Sequence, residues 1–222
     1  MKVDQRFFEE HGYVVVKGMI DEEEVASLLE DYNKMVTGQI PMKGFNGLNA
    51  KVDEHNEKAV QIANPSQQYE KWQQHSYLKK ALNIAKELAG EDVEYKYDQI
   101  IYKPAYNPAE TAWHQDAAYW QNNEQSAVTC WLALTPAFLE NGGMKFIPGS
   151  HREEIMEHTS LGSSKGINDA LGIPHLNESR AISHVLLPGD ASFHHHKTIH
   201  GTNANNTQMP RCALITHFES KR

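Results

Sequence analysis

Apolar and polar residues recur along this chain with two different periods, and the change from one to the other divides it. Phe7 and Phe8, then Gly12, then Val14-Val15-Val16 predict a short helix, a turn and a first buried strand. Asp21, followed three residues later by Glu24, has the form of a capping box. Val25, Leu28, Leu29, Tyr32 and Val36 continue from it at helical spacing. A second helix is expected from about Ser76, with Leu78, Leu82, Ala85, Leu88 and Ala89 on one face and Gly90 as its C′ residue. From Val93 the period falls to two: Val93, Tyr95, Tyr97, Gln99, Ile101 and Lys103 face one way, and Glu94, Lys96 and Asp98 the other. Further strands are predicted at 127–134, 143–147, 183–187, 191–199 and 211–218, with turns at Pro148-Gly149 and Pro188-Gly189. Helices first and many short strands after them predict an α+β chain, mainly β, whose body is a sandwich or barrel.

Two stretches lack a clear period. Residues 37–66, rich in Gly, Asn, Lys and Pro, read either as part of a substrate entrance or as a solvated connection. Residues 152–182, with Gly162, Gly166, Gly172 and Pro174, read as a variable lid. No internal repeat or Pro/Ser-rich linker interrupts the 222 residues, so one domain over 1–222 is expected.

Composition excludes more than it identifies. The chain is 23% charged and 40% hydrophobic, as globular proteins are. A formal net charge of -8 argues against a nucleic-acid surface, which needs clustered Lys and Arg. No apolar run reaches the roughly 18 residues of a membrane span, and Met1-Lys2-Val3-Asp4-Gln5 lacks the apolar core of a secretory signal. Cys130 and Cys212 each stand in an apolar, strand-like run and read as buried thiols rather than a disulfide. A cytoplasmic protein without nucleic-acid or membrane partners is therefore expected, with its oligomeric state open.

The candidate chemistry lies in two distant segments, Trp113-His114-Gln115-Asp116 and Ile199-His200-Gly201-Thr202, with Arg211 eleven residues after His200. A lone His-x-Asp is weak, because thirteen histidines make about half a match expected by accident. On a strand, however, positions 114 and 116 project from the same face, and the aromatic Trp113, Tyr119 and Trp120 could wall a dry site. Downstream, a turn at Leu187-Pro188-Gly189-Asp190, a His-rich strand, a loop of Asn205, Asn206, Thr207 and Pro210, and a last strand from Arg211 have the form of a hairpin. Such a hairpin places His200 and Arg211 on neighbouring strands of one sheet, with Arg211 pointing into the same cavity. Two imidazoles and one carboxylate can hold one face of an octahedral Fe(II) and leave the other open. An arginine beyond them can clamp the carboxylate of a cosubstrate.

Seven segments then align in order: Asp98-Gln99-Ile100-Ile101-Tyr102-Lys103-Pro104, Trp113-His114-Gln115-Asp116, Asn141-Gly142-Gly143, Pro148-Gly149-Ser150-His151, Pro188-Gly189-Asp190, His200-Gly201 and Arg211. In order and spacing the chain, from about residue 6 to 218, resembles the phytanoyl-CoA dioxygenase family of Fe(II)/2-oxoglutarate oxygenases. The resemblance implies a double-stranded β-helix, the jelly-roll or cupin-like core, with N-terminal helices packed outside. It implies His114, Asp116 and His200 as iron ligands and Arg211 as the partner of the distal carboxylate of 2-oxoglutarate. It places Thr202, Gln99 and Trp131 at further cosubstrate-site positions. The cofactors would be Fe(II), 2-oxoglutarate and O2, with ascorbate supportive in vitro. The reaction would be hydroxylation of a C–H bond in a small-molecule metabolite with release of succinate and CO2. Asp116 speaks against halogenation, since related halogenases lack that carboxylate, whereas desaturation, ring closure and epimerisation use the same iron site. The chain is shorter than many relatives, and residues 152–182 match no subgroup of known substrate.

Two other readings accommodate the same residues: a metal-dependent cupin enzyme that uses no 2-oxoglutarate, and a non-catalytic jelly-roll binding module. Among the remaining histidines, alternation puts His194 and His196 on the face of His200 and His195 on the other; packing is the plainer role for each. His151 reads as part of a loop network, Lys103 as facing the cavity or ending its strand, and Tyr102 and Tyr106 as core or rim aromatics.

Overall fold

The computed structural model of the chain describes residues 3–43, 45–47, 59–119, 127–161 and 170–221. The chain opens with α1 (Gln5–His11), β1 (Tyr13–Val16) and α2 (Glu22–Val36), followed by β2 (Phe45–Gly47) and β3 (Val60–Ala63). Three helices come next, α3 (Pro65–Gln68), α4 (Glu70–Gln73) and α5 (Tyr77–Ala89). The remainder is mainly strand: β4 (Val93–Lys103), β5 (Thr111–His114), β6 (Ala127–Ala133), β7 (Met144–Phe146), β8 (Thr159–Ser160) and β9 (Leu171–Gly172). It ends with β10 (Ile182–Ser183), β11 (Ala191–His195), β12 (His200–Thr202) and β13 (Arg211–Ser220). The strands form a seven-stranded sheet in the order β1-β11-β6-β13-β4-β3-β2, a four-stranded sheet in the order β10-β7-β12-β5, and a β8-β9 ribbon. The α+β, mainly β architecture anticipated from the pattern is thus present, and every strand pairing is antiparallel.

Helices cover one face of the large sheet. Leu28, Tyr32 and Met35 of α2 and Tyr77, Ala81, Ile84 and Ala85 of α5 pack with Ile100, Leu132, Phe193 and Leu214 in the main core. The buried stripe of α5 is rotated from the expected one. Small Ala81 and Ala85 let the helix lie close to the sheet, and Leu78, Leu82 and Leu88 flank the contact only partly buried. The second face meets the small sheet across Trp131, Ala133, Ala213 and Ile215 on one side and Met144 and Phe146 on the other.

The predicted capping box of α2 also joins it to α5. Asp21 accepts from the Glu24 amide at 2.9 Å, as an N-cap should. The Glu24 side chain does not complete the box; it accepts from the Ser76 hydroxyl at 2.6 Å and from Lys80 at 3.0 Å. Ser76, next to the start of α5, thus ties α5 to α2.

Three strand expectations are corrected by the register. A bulge sets Tyr97 opposite His217 but Tyr95 opposite Phe218, so Val93 and Tyr95 join the helix-side core. Tyr97, Gln99, Ile101 and Lys103 keep the other face. The strand expected over 183–187 is instead Ile182–Ser183, and Leu186 forms an isolated bridge with Ala137. The strand expected over 191–199 ends at His195, and the chain turns so that β12 enters the other sheet. His200 and Arg211 are therefore on opposite sheets, not neighbouring strands of one. Gly189 (φ +89°) allows the preceding turn, where an added Cβ would lie 2.4 Å from the Ile20 carbonyl oxygen. Asp190 fixes the same turn by accepting from the Gly18 and Leu187 amides at 2.8 Å each and from Lys17 at 2.9 Å.

Cys130 and Cys212 are free and buried. Among the described residues no helix is long and apolar enough to cross a membrane. Part of the segment 37–66, and Gly162 and Gly166 within 152–182, lie outside the described residues.

Candidate active site

Strand pairing brings the two distant segments together. β12 lies beside β5 with His200 directly opposite His114, and their rings are 4.2 Å apart. Asp116 is not on the strand, as expected from its spacing; β5 ends at His114 and Asp116 opens a 3-10 helix, Asp116–Tyr119. The turn still delivers the carboxylate to the imidazoles. His114 Nε2 and His200 Nε2 are each 3.6 Å from Asp116 Oδ1, and the three ligand atoms lie within 4.8 Å of one another.

The ring nitrogens are already assigned for a metal. His114 Nδ1 donates to the Ala112 carbonyl at 2.8 Å and His200 Nδ1 to the Thr198 carbonyl at 2.9 Å. With Nδ1 of each ring committed to a carbonyl, Nε2 is the nitrogen that faces Asp116 and is left to bind a cation. Two imidazole nitrogens and a carboxylate oxygen converging in one place form a donor set that fits a divalent cation. Burial pushes the His200 imidazole well below its ordinary value, with His194 and His114 adding to the effect, so it is neutral.

The second carboxylate oxygen has its own partners. Asp116 Oδ2 accepts from the Thr129 hydroxyl at 2.7 Å and lies 3.4 Å from His194 Nε2 and 3.9 Å from His217 Nδ1. His194 thus stands beside the triad, its ring 4.1 Å from His200. His196 does not: it falls past the end of β11, and its Nδ1 contacts the Ala127 carbonyl at 3.2 Å. His195 faces away against His151, which itself contacts the Glu9 carbonyl at 3.2 Å. Of the aromatics expected as walls, the Tyr119 ring is 5.8 Å from His114. Trp113 packs instead in a separate buried cluster with Ile147, Ile173 and Ile199, and Trp120 lies outside the described residues.

Two residues along β12 from His200 is a cationic pocket. Thr202 Oγ1 accepts from Lys103 Nζ at 2.6 Å, and the Asn203 carbonyl accepts from the same ammonium at 2.6 Å. Arg211 pairs with Lys103 across β13 and β4. Its guanidinium lies 5.4 Å from the Trp131 ring centre and donates to the Ile101 carbonyl at 3.3 Å, while its Nε has no hydrogen-bond partner among the described residues. Lys103 is 0% and Arg211 1% exposed, and among the described residues no carboxylate stands within ion-pair distance of either. Burial pulls Arg211 down to about 10. Burial and then the charge of Arg211 pull Lys103 well below its ordinary value. Gln99 shares this face, but its amide groups meet Gln61 and His217.

Sequence pattern had left Lys103 open and passed over Thr129 and His217. Both lay in predicted strands, with the parity of Trp131 and Arg211, so alternation was the available signal. Tyr102 packs beside the helix-side core, and Tyr106 is exposed.

The family model for phytanoyl-CoA dioxygenase (PhyH) matches residues 8–213. Human peroxisomal phytanoyl-CoA dioxygenase is 24% identical over 227 residues, covering 97% of this chain and 67% of that protein. Among solved structures, EvdO2 from Micromonospora carbonacea var. aurantiaca complexed with 2-oxoglutarate superposes with a TM-score of 0.81. It is 24% identical over 100% of this chain and 92% of its own. EctD from S. alaskensis with 2-oxoglutarate and 5-hydroxyectoine gives 0.76 at 20% identity, covering 97% of this chain and 74% of its own. The chain belongs to the phytanoyl-CoA dioxygenase family and has its double-stranded β-helix fold. It is an Fe(II)/2-oxoglutarate-dependent dioxygenase, which sets aside both the cupin enzyme without 2-oxoglutarate and the non-catalytic module.

Proposed function

We propose that residues 1–222 act as one catalytic domain that hydroxylates a C–H bond of a small-molecule metabolite. In this reading His114, Asp116 and His200 hold the iron, and Arg211, Lys103 and Thr202 hold the distal carboxylate of 2-oxoglutarate beside Trp131. The observation that carries it is a pair of buried basic side chains, Lys103 and Arg211, with no carboxylate within ion-pair distance among the described residues. Lys103 is bonded to Thr202, which lies two strand residues (about 7 Å) from His200, and His114 and His200 both donate through Nδ1. Buried charge is costly unless paired, and a cosubstrate carboxylate is the partner this pocket suits. Fe(II) and 2-oxoglutarate held there would supply, with O2, the oxidant for the C–H bond; the cosubstrate would be converted to succinate and CO2, and the iron would stay with the protein.

The chain's own side chains then have distinct tasks. Asp116 brings one negative charge to the ion, and the neutral imidazoles of His114 and His200 bring none. Arg211 and Lys103 orient the diacid by charge-assisted hydrogen bonds. The apolar cluster of Trp131, Ala133, Phe146, Ala213 and Ile215 keeps water from the pocket. A small-molecule substrate is supported by the EctD complex, which contains 5-hydroxyectoine.

Purified protein supplied with Fe(II), ascorbate, O2 and 2-oxoglutarate should form succinate slowly without substrate, and Asp116→Ala should reduce this to background. A metabolite screen that reads stimulated succinate release then identifies the substrate. Absence of succinate under every metal and metabolite tried overturns the reading.

A further inference from the structure

We propose that Gln61, Gln99, His217 and Thr129 form a one-directional hydrogen-bonded relay that grips the outer oxygen of Asp116 and limits this carboxylate to ligation through its other oxygen; the proposal rests on the iron-site reading above. The four residues come from β3, β4, β13 and β6, which are consecutive in the large sheet. The direction of the relay follows from its end. An ionised carboxylate only accepts, so the Thr129 hydroxyl donates to Asp116 Oδ2 at 2.7 Å. Its oxygen is then free to accept from His217 Nδ1 at 3.0 Å, which puts the ring proton on Nδ1 and leaves Nε2 bare. His217 Nε2 accepts from the Gln99 amide nitrogen at 3.1 Å, and the Gln99 carbonyl accepts from the Gln61 amide. Four side chains thus satisfy one another without conflict, each bond polarising the next.

The relay divides the labour of the two carboxylate oxygens. Oδ1 faces His114 and His200 at 3.6 Å each. Oδ2 is held on the far side by Thr129, with His194 Nε2 3.4 Å away. A carboxylate free to turn could chelate through both oxygens and take a position that the open face of the ion needs for small ligands. Thr129 and His217 are 2% and 4% exposed, so bulk water has little access to substitute for either. They are positioning residues that act through Asp116.

The test needs no turnover. Apo-protein is titrated with Co(II) and followed by visible absorption. Thr129→Val should weaken Co(II) binding about 10–100-fold, the usual range for an outer-shell partner of a metal ligand, and alter the spectrum; Thr129→Ser should restore both. His217→Asn, whose amide nitrogen occupies the place of Nδ1, should bind nearly as wild type, and His217→Gln, whose amide nitrogen occupies the place of Nε2, should not. Nitrogen-15 NMR of wild-type protein loaded with diamagnetic Zn(II) should find His217 protonated at Nδ1, a readout that depends on no variant folding. Protonation at Nε2, or wild-type Co(II) affinity in Thr129→Val, overturns the relay and leaves the iron reading standing. Failure of the wild type itself to bind Co(II) overturns both.

Discussion

The two faces of the seven-stranded sheet are made by alternate residues of the same strands, yet they do opposite things. Towards the helices stand Val14, Phe193, Leu132, Leu214 and Ile100. Towards the small sheet stand His194, Thr129, Trp131, His217, Arg211, Gln99 and Lys103. Both faces are largely dry, so exposure does not separate them; chemistry does. Each large apolar side chain fully buried under the helices contributes about 1.5–3 kcal/mol. Buried cations and imidazoles on the other face lose hydration and recover it only through specific partners. One face therefore holds the fold, and the other is tolerated for what it can bind.

β13 carries both faces within four residues, which makes the contrast testable. Leu214→Ala should cost about 2–5 kcal/mol of stability through lost burial and the cavity left behind, read by denaturant unfolding, while the folded fraction keeps its cosubstrate KM. Arg211→Ala should do the reverse. Its cosubstrate KM should rise roughly 10–100-fold, equivalent to about 1.5–3 kcal/mol of charge-assisted hydrogen bonding, with a smaller loss of stability than Leu214→Ala. Equal destabilisation by the two would break the distinction between the faces.

Asp190 lies on the turn that feeds β11 and sharpens the comparison from outside both faces. Burial acts to raise its carboxyl, but Lys17 and the Gly18 and Leu187 amides outweigh this and lower it. A carboxyl lowered on folding stabilises above its unfolded value, near 4, and loses that contribution as pH falls through the folded value. Asp190→Asn should therefore cost about 1–2 kcal/mol near neutral pH, and the gap from wild type should close below about pH 4 in pH-dependent unfolding. A gap that stays constant down to pH 2 would show that the ionised carboxylate is not what secures the turn.

Much of this was legible before folding. Asp21 with the apolar spacing from Val25 announced α2, and the alternation around Gln99, Ile101 and Lys103 announced one face of β4. The order of motifs from Asp98 to Arg211 announced the family. Legibility failed where a local signal met a long-range one. Nothing near Val93 or Tyr95 marks the bulge, which is a register slip against β13. His196 obeys the same alternation as His194, but a turn takes it off the strand before it can reach the site. Glu24 looks like the second half of a capping box and instead accepts from Ser76, fifty-two residues later.

Local periodicity and residue type, acting through neighbours along the chain, determined the helices, most of the strands and the stock of candidate ligands, because side-chain direction within an element follows from its repeat alone. Only the tertiary structure decided that β12 leaves the large sheet to lie beside β5, that Lys103 meets Thr202 opposite Arg211, and that Thr129 and His217 reach Asp116. Those meetings depend on which strands pair and at what register, and pairing is chosen by burial summed over the whole core rather than by the residues that happen to meet there.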